Sequence, residues 1–255
     1  MVLPETNRYA REKIEKMLPL KEHSQWQSWS DVTLIEMKAF WGVLMNMALN
    51  EKPSIDDYFS GDKLSKQDFF SELFTRKRFR QLYSALHLAP PAPPNETQLQ
   101  TRSQKVRNVV EHIDSKCREL FSPGQKVAVD ESTIAFKGRV GFLMYNPQKP
   151  TKWGLRGYVG ADSETGYIWA IAPYFGNVTT QALDRPDLPF ASRIVLHLFG
   201  LLQRDCPADG RHFFTDRFYT SLASADELRK ERTHLTGTIM ANRKGLPVEI
   251  SKLFY

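Results

Sequence analysis

The chain is poor in cysteine: Cys117 and Cys206 are its two. Two cannot build a disulfide framework, and they cannot supply a cysteine-based zinc site. Long hydrophobic runs are missing as well. None approaches the roughly 20 apolar residues that a bilayer-spanning helix needs, so no membrane partner is expected. The opening stretch MVLPETNRYAREK lacks the apolar core of a secretion signal. With so few cysteines, a reducing cytosol or nucleus is the predicted setting. Internal repeats are absent, and biased composition is confined to one proline-bearing stretch. The most informative absence is local. Between Ser132 and Val159 there is no acidic residue, whereas Lys137, Arg139, Lys149, Lys152 and Arg156 all fall there. The net charge of +6 is compatible with plain solubility, but a segment of one sign suits a polyanionic partner.

At 255 residues, 41% hydrophobic and 25% charged, the chain has a globular balance and can bury one large or two modest cores. Its pattern changes near residue 124. Residues 1–124 read as helical. In TLIEMKAFWGVLMNMAL, Thr33 and Glu36 have capping-box spacing. Leu34, Met37, Trp41, Leu44 and Met45 recur every three to four residues there. FTRKRFRQLYSALHL continues that period through Phe79, Leu82, Tyr83 and Leu86. Arg76, Lys77, Arg78 and Arg80 crowd its first half, where positive charge opposes the helix dipole. A phosphate-binding face or a solvated face would each account for them. A proline-rich linker follows near 89–101. Val106, Val109, Val110, Ile113, Cys117 and Leu120 then mark the apolar stripe of a further helix, ended by Ser122, Pro123 and Gly124.

Residues 125–255 read as strands mixed with helices. KVAVDEST is strand-like. Leu155–Asp162 and Tyr167–Tyr174 form the arms of a hairpin closed by a short, glycine-ended loop. LPFASRIVLHLFGLLQRDCP is apolar on most sides and predicts a helix buried on a sheet. RHFFTD, SLASADELRKER and HLTGTIMANR then read as strand, helix and strand. Three strands followed by helix, strand, helix, strand is the layout of the ribonuclease H-like fold, an α+β or α/β architecture. In that layout the first and fourth strands are neighbours, and they end here on Asp130 and Asp216. Each has an ordinary alternative: Asp130 as a plain strand-end residue, Asp216 as an ion-pair partner of Arg217 or an N-cap of the next helix. Glu131, Asp162 and Glu164 read as solvated turn or edge residues, and His212 as a packed strand residue. Trp153 either stacks on a base or sugar or lies pinned against the sheet. Lys149 and Lys152 suit phosphate contacts or simple solvation. A two-carboxylate glycosidase is disfavoured by the basic segment and by the strand order.

These residues also carry a family resemblance. The stretch from Val129 to Gly176 resembles the catalytic core of piggyBac-type transposases. The most telling pieces are Asp130-Glu131, FKGR at 136–139, MYNPQKPTKWG at 144–154 and TDRFYTS at 215–221. The helical half, with ETNRYA at 5–10, resembles that family's dimerisation and DNA-binding region. The resemblance implies metal-dependent DNA cleavage, hairpin formation and joining into TTAA sites, with Mg²⁺ or Mn²⁺ held by aspartates. Asp130 would bridge the metals and Asp216 would hold one. Lys137, Arg139, Lys149, Lys152, Trp153 and Arg156 would meet double-stranded DNA, including terminal repeats. A homodimer and a nuclear location are implied too. The third aspartate of the family follows a long insertion that would begin near Tyr255, and the cysteine-rich zinc tail has no counterpart here. The sequence therefore reads as a partial ribonuclease H-like domain, truncated at its C-terminus. It is expected not to complete transposition, or to serve as a host-adopted, non-catalytic DNA-binding and dimerising protein.

Overall fold

Thr33 and Glu36 close on each other as their spacing predicts. The Glu36 N–H donates to Thr33 Oγ1 at 3.2 Å, and the Thr33 N–H to Glu36 Oε2 at 3.3 Å. Two otherwise orphaned donors are thereby satisfied at the start of a helix. In this computed structural model, which describes residues 2–62, 64, 66–91, 93, 102–206 and 210–247, the helix is α2, Leu34–Leu49. Around it lie α1 (Val2–Lys16), α3 (Asp68–Leu73) and α4 (Arg76–Ala85). They belong to the first of two compact units, built on the residues up to Pro93; the second is built on those from Val109 onward. Most of the predicted linker lies outside the described residues. The first unit also takes in Gln104–Asn108, so the change of unit falls within the first turn of the helix α5 (Arg107–Leu120).

The first unit corrects two expectations about faces. α2 buries Met37, Phe40 and Val43, while Leu34 and Met45 are 58% and 67% exposed. In α4, Phe79 and Leu82 are buried but Tyr83 is 53% exposed. Part of the Arg76–Arg80 charge is also turned inward. Arg78 forks onto Glu36 at 2.7 and 2.8 Å and lies over the Trp29 ring, and Arg80 pairs with Asp56 at 2.6 Å. Bidentate pairing of this kind is directional and holds α4 to the capped end of α2.

The second unit is organised by a sheet. Its strands are β1 (Lys126–Ala135), β2 (Met144–Tyr145), β3 (Trp153–Asp162), β4 (Ile168–Pro173), β5 (His212–Thr215) and β6 (His234–Gly237). The order is β2-β3-β1-β5-β6, with β4 also on β3. β3 runs antiparallel to both of its neighbours β1 and β4, whereas β5 is parallel to β1 and β6 is parallel to β5. Setting aside two-residue β2, the spatial order is third, second, first, fourth, fifth. The parallel steps require crossovers. These are α6 (Asn177–Ala182) with α7 (Phe190–Asp205), and then α8 (Leu222–Lys230).

Val127, Val129, Tyr158, Trp169 and Phe213 pack with Ile194, Leu198 and Leu202 of α7 and Leu228 of α8 into one core. Gly160 is required beneath Trp169: a Cβ there would stand 2.4 Å from the indole. Because Trp169 is 1% exposed and has nowhere to swing, Gly160→Ala is expected to destabilise this unit by about 1–3 kcal/mol through overpacking. Urea denaturation of the variant checks it. An unchanged midpoint would mean that the ring has room after all.

The hairpin turn runs from Asp162 to Tyr167, with Gly166 at φ 73°. Asp162 is not the solvated residue that its place in a turn suggests. It is 3% exposed and accepts from the N–H groups of Gly124, Glu164 and Thr165 and from the Thr165 hydroxyl. Although burial opposes its charge, these donors hold its carboxyl below the usual aspartate range. The edge strand β4 is covered by α5, whose Asp114 accepts from the Ile171 N–H at 2.8 Å. This use of α5 differs from its sequence stripe: Asp114 and Arg118 are largely covered, and Ile113 and Leu120 are 47% and 76% exposed.

Candidate metal and nucleic-acid site

Alternation along β1 sends Val127 and Val129 into the core and Asp130 to the opposite face. The parallel pairing of β1 with β5 matches Val129 to Thr215. One residue further on, Asp130 and Asp216 are therefore neighbours at the same end of the sheet. The sequence placed them together, and the register does the same. Asp216 is fixed by the turn it opens: its Oδ1 accepts from the Phe218 N–H at 2.8 Å and the Tyr219 N–H at 3.3 Å. It does not cap α8, a role taken by Ser221.

Asp130 accepts from the Glu131 N–H at 2.7 Å. Burial pushes its carboxyl above the ordinary aspartate range, and the carboxylates of Glu131 and Asp216 add to that against the pull of the Glu131 N–H. A carboxylate whose charge is disfavoured by burial and by its neighbours is a setting a cation would relieve. The Asp130 and Asp216 carboxylates are both hard oxygen donors of the kind Mg²⁺ and Mn²⁺ prefer. Among the described residues no group of three or more His, Cys, Asp and Glu side chains converges on a metal-sized space. Asp130 and Asp216 alone bring two carboxylates to this end of the sheet.

Glu131 is the residue that sequence reasoning missed. Being in phase with Val127 and Val129, it lies at the border of the core with its side chain 17% exposed. Lys149 Nζ donates to its Oε1 at 2.7 Å, and the Tyr219 hydroxyl to its Oε2 at 3.0 Å. Burial works against the Glu131 charge, but the ammonium and the hydroxyl outweigh it and hold the carboxyl below its usual value. Tyr219 is 1% exposed; burial and the Glu131 charge push its phenol up. One carboxylate thereby joins β1, the turn after β5 and the loop before β3. The signal available in the sequence was its phase: an acid in step with a buried valine pair.

The basic residues separate into two groups. Lys137, Arg139 and Lys152 are exposed and make no ion pair among the described residues. Trp153 is 48% exposed, with Tyr145 against it at 4.4 Å. Lys149 is instead committed to Glu131, and Arg156 is half-buried with its Nε unpartnered among the described residues. Neither is an exposed, unpaired cation. His212 packs on Phe214 at 4.5 Å as expected of a strand residue.

A sheet of this order, with Asp130 and Asp216 meeting at the ends of its first and fourth principal strands, defines a ribonuclease H-like fold. The family model described as Transposase IS4 matches residues 1–253, and the chain belongs to that transposase family, within its piggyBac group. Human PiggyBac transposable element-derived protein 3 is 24% identical over 209 residues, covering 82% of this chain and 34% of that protein. Human PiggyBac transposable element-derived protein 2 is 24% identical over 242 residues, covering 95% and 38%. The chain thus spans little more than a third of the length of these two curated relatives. A solved piggyBac transposase synaptic complex with hairpin DNA superposes with a TM-score of 0.80 at 23% identity, over 97% of this chain and 49% of that one. At that identity the likeness speaks for the fold.

Proposed function

We propose that this chain carries the metal-binding and DNA-contacting part of a transposase-type catalytic domain, working on double-stranded DNA in the nucleus. The observation that carries the reading is the in-register placement of Asp130 beside Asp216 at one sheet end. Asp130 and Asp216 would hold Mg²⁺ or Mn²⁺, which when bound supplies activation of a nucleophile and charge relief at a leaving oxygen. Glu131 and Tyr219 fix the two aspartates relative to each other. Lys137, Arg139 and Lys152 bind and orient the phosphate backbone. Support for DNA as the partner comes from these exposed cations and from the hairpin DNA in the solved piggyBac complex.

The test is a nicking assay on supercoiled DNA with and without Mn²⁺. Metal-dependent nicking lost in Asp216→Asn supports the enzyme. Salt-sensitive DNA binding without nicking, in any metal, would favour the non-catalytic DNA-binding alternative. The DNA contacts have their own prediction. Log affinity should fall linearly with log salt, and changing Lys137 and Lys152 together to alanine should flatten the slope by about 1–2 units. Lys149→Ala should leave the slope unchanged, because its ammonium already faces Glu131. A flattened slope in Lys149→Ala would restore that lysine as a phosphate contact.

A further inference from the structure

The loop between β1 and β3 builds something that phosphate binding alone does not need. Trp153 and Tyr145 are a cross-strand pair of the short β2–β3 ladder, their rings 4.4 Å apart and tilted by 36°. Cross-strand aromatic pairs of this kind fix each other's orientation. Both rings remain about half exposed, Trp153 at 48% and Tyr145 at 52%. Beside the indole is an open groove of about 500 Å³, lined by Phe136, Lys137, Pro150, Lys152 and Trp153 among others. Tyr145 does not line it and so buttresses the indole from outside. Phe136 is held in place by its own loop: a Cβ on Gly138 would stand 2.3 Å from the Phe136 ring, so only glycine lets that ring settle there. Lys137 and Lys152 frame the groove, and among the described residues no acidic side chain lines it. Lys149, the nearby cation that could have joined them, is drawn away to Glu131.

An exposed, buttressed aromatic face framed by free cations has a definite chemical preference. It takes a flat π-system carrying negative charge. In a duplex each base face is already occupied by its neighbours, so the indole gains little there. An unpaired base has a face to offer, and its flanking phosphates reach the lysines. We infer that this groove seats one unpaired nucleotide, its base stacked on Trp153 and its adjacent phosphates met by Lys137 and Lys152. The inference rests on the DNA reading above and names the form of DNA the loop selects.

The experiment uses the purified chain and three DNAs of equal length at one salt concentration. One is a perfect duplex with a paired 2-aminopurine, one a duplex whose 2-aminopurine sits in a single-nucleotide bulge, and one a single strand. Stacking one base is worth roughly a 5- to 150-fold gain in affinity. The bulged DNA should therefore bind at least about fivefold tighter than the duplex, with its 2-aminopurine fluorescence quenched on binding. Trp153→Ala should remove both the preference and the quenching while leaving duplex affinity and its salt slope as they were. Trp153→Phe should retain most of both, which a purely structural role for the indole would not predict. Equal affinity for bulged and perfect duplex, with binding intact, would overturn the groove but not the DNA reading. Binding to none of the three would overturn both. A Trp153→Ala chain that still prefers and quenches the bulge would move the site away from this groove.

Discussion

Asp130→Asn is expected to abolish divalent-metal binding and, in metal-free buffer at neutral pH, to raise the melting temperature of the sheet-bearing unit. Asp130 lies against the charges of Glu131 and Asp216 and is partly withdrawn from water. Its carboxyl is raised in the folded state. The folded chain therefore favours the protonated form, whose stabilising contribution is complete below the unfolded aspartate value of about 3.9. That contribution is lost as pH rises through the raised folded value. At pH 7 the wild type bears the whole penalty and asparagine bears none. Removing such a functional strain commonly gains about 1 kcal/mol, which in a domain of this size is roughly 2–4 °C. The gain should shrink on acidification and vanish below about pH 4. Mn²⁺ should reverse the order by stabilising the wild type alone. Thermal melts at pH 4 and pH 7, with and without Mn²⁺, measure all three effects. A lower melting temperature for Asp130→Asn in metal-free buffer would show that the carboxylate stabilises the fold and is no strained ligand.

What the sequence discloses about this architecture follows from the range of the interactions involved. The succession β1, hairpin, α7, β5, α8, β6 was legible because each element carries its own period and punctuation, such as Gly166 closing the hairpin and Ser221 opening α8. The meeting of Asp130 with Asp216 was legible one step later, because a parallel first–fourth strand pair places both strand ends together whatever the side chains do. Faces were less legible. α2 is apolar nearly all round, so its spacing is satisfied equally by Leu34 and Met45, which are exposed, and by Phe40 and Val43, which are buried. Partnerships across long separations were not legible at all. Glu131 meets Tyr219 across 88 positions, Asp162 meets Gly124 across 38, and Arg78 meets Glu36 across 42. Each of these charges looks solvated when only its sequence neighbours are considered. The same blindness made Lys149 resemble Lys152, although one is an internal ion-pair partner and the other a free cation.

Glu131 gives the largest stability effect expected in the site, and the reason is the burial of its donors. In Glu131→Ala the Tyr219 hydroxyl, 1% exposed, keeps a donor with no acceptor, at a cost of about 1–3 kcal/mol. Lys149 also loses its partner, a smaller effect because its side chain is 38% exposed and water can replace the carboxylate. A total near 3 kcal/mol is expected by urea denaturation. Glu131→Gln is a sharper probe. Its carbonyl oxygen can face Lys149 while its amide N–H donates to Tyr219, whose hydroxyl accepts as readily as it donates. The geometry survives and only the charge goes, so the loss should be about 1 kcal/mol. Tyr219→Phe should cost a similar amount, and Glu131→Ala with Tyr219→Phe should cost less than the two separately, since the unsatisfied hydroxyl is gone. Because Glu131 ties β1 to the turn that Asp216 opens, the same alanine variant should weaken Mn²⁺ binding by about 10- to 100-fold. The glutamine variant, keeping both tethers, should stay within a few-fold of wild type. Additive stabilities in the double variant, together with Mn²⁺ affinity unchanged in Glu131→Ala, would show that Glu131 is a local surface ion pair and that Asp130 and Asp216 are positioned by the strands alone.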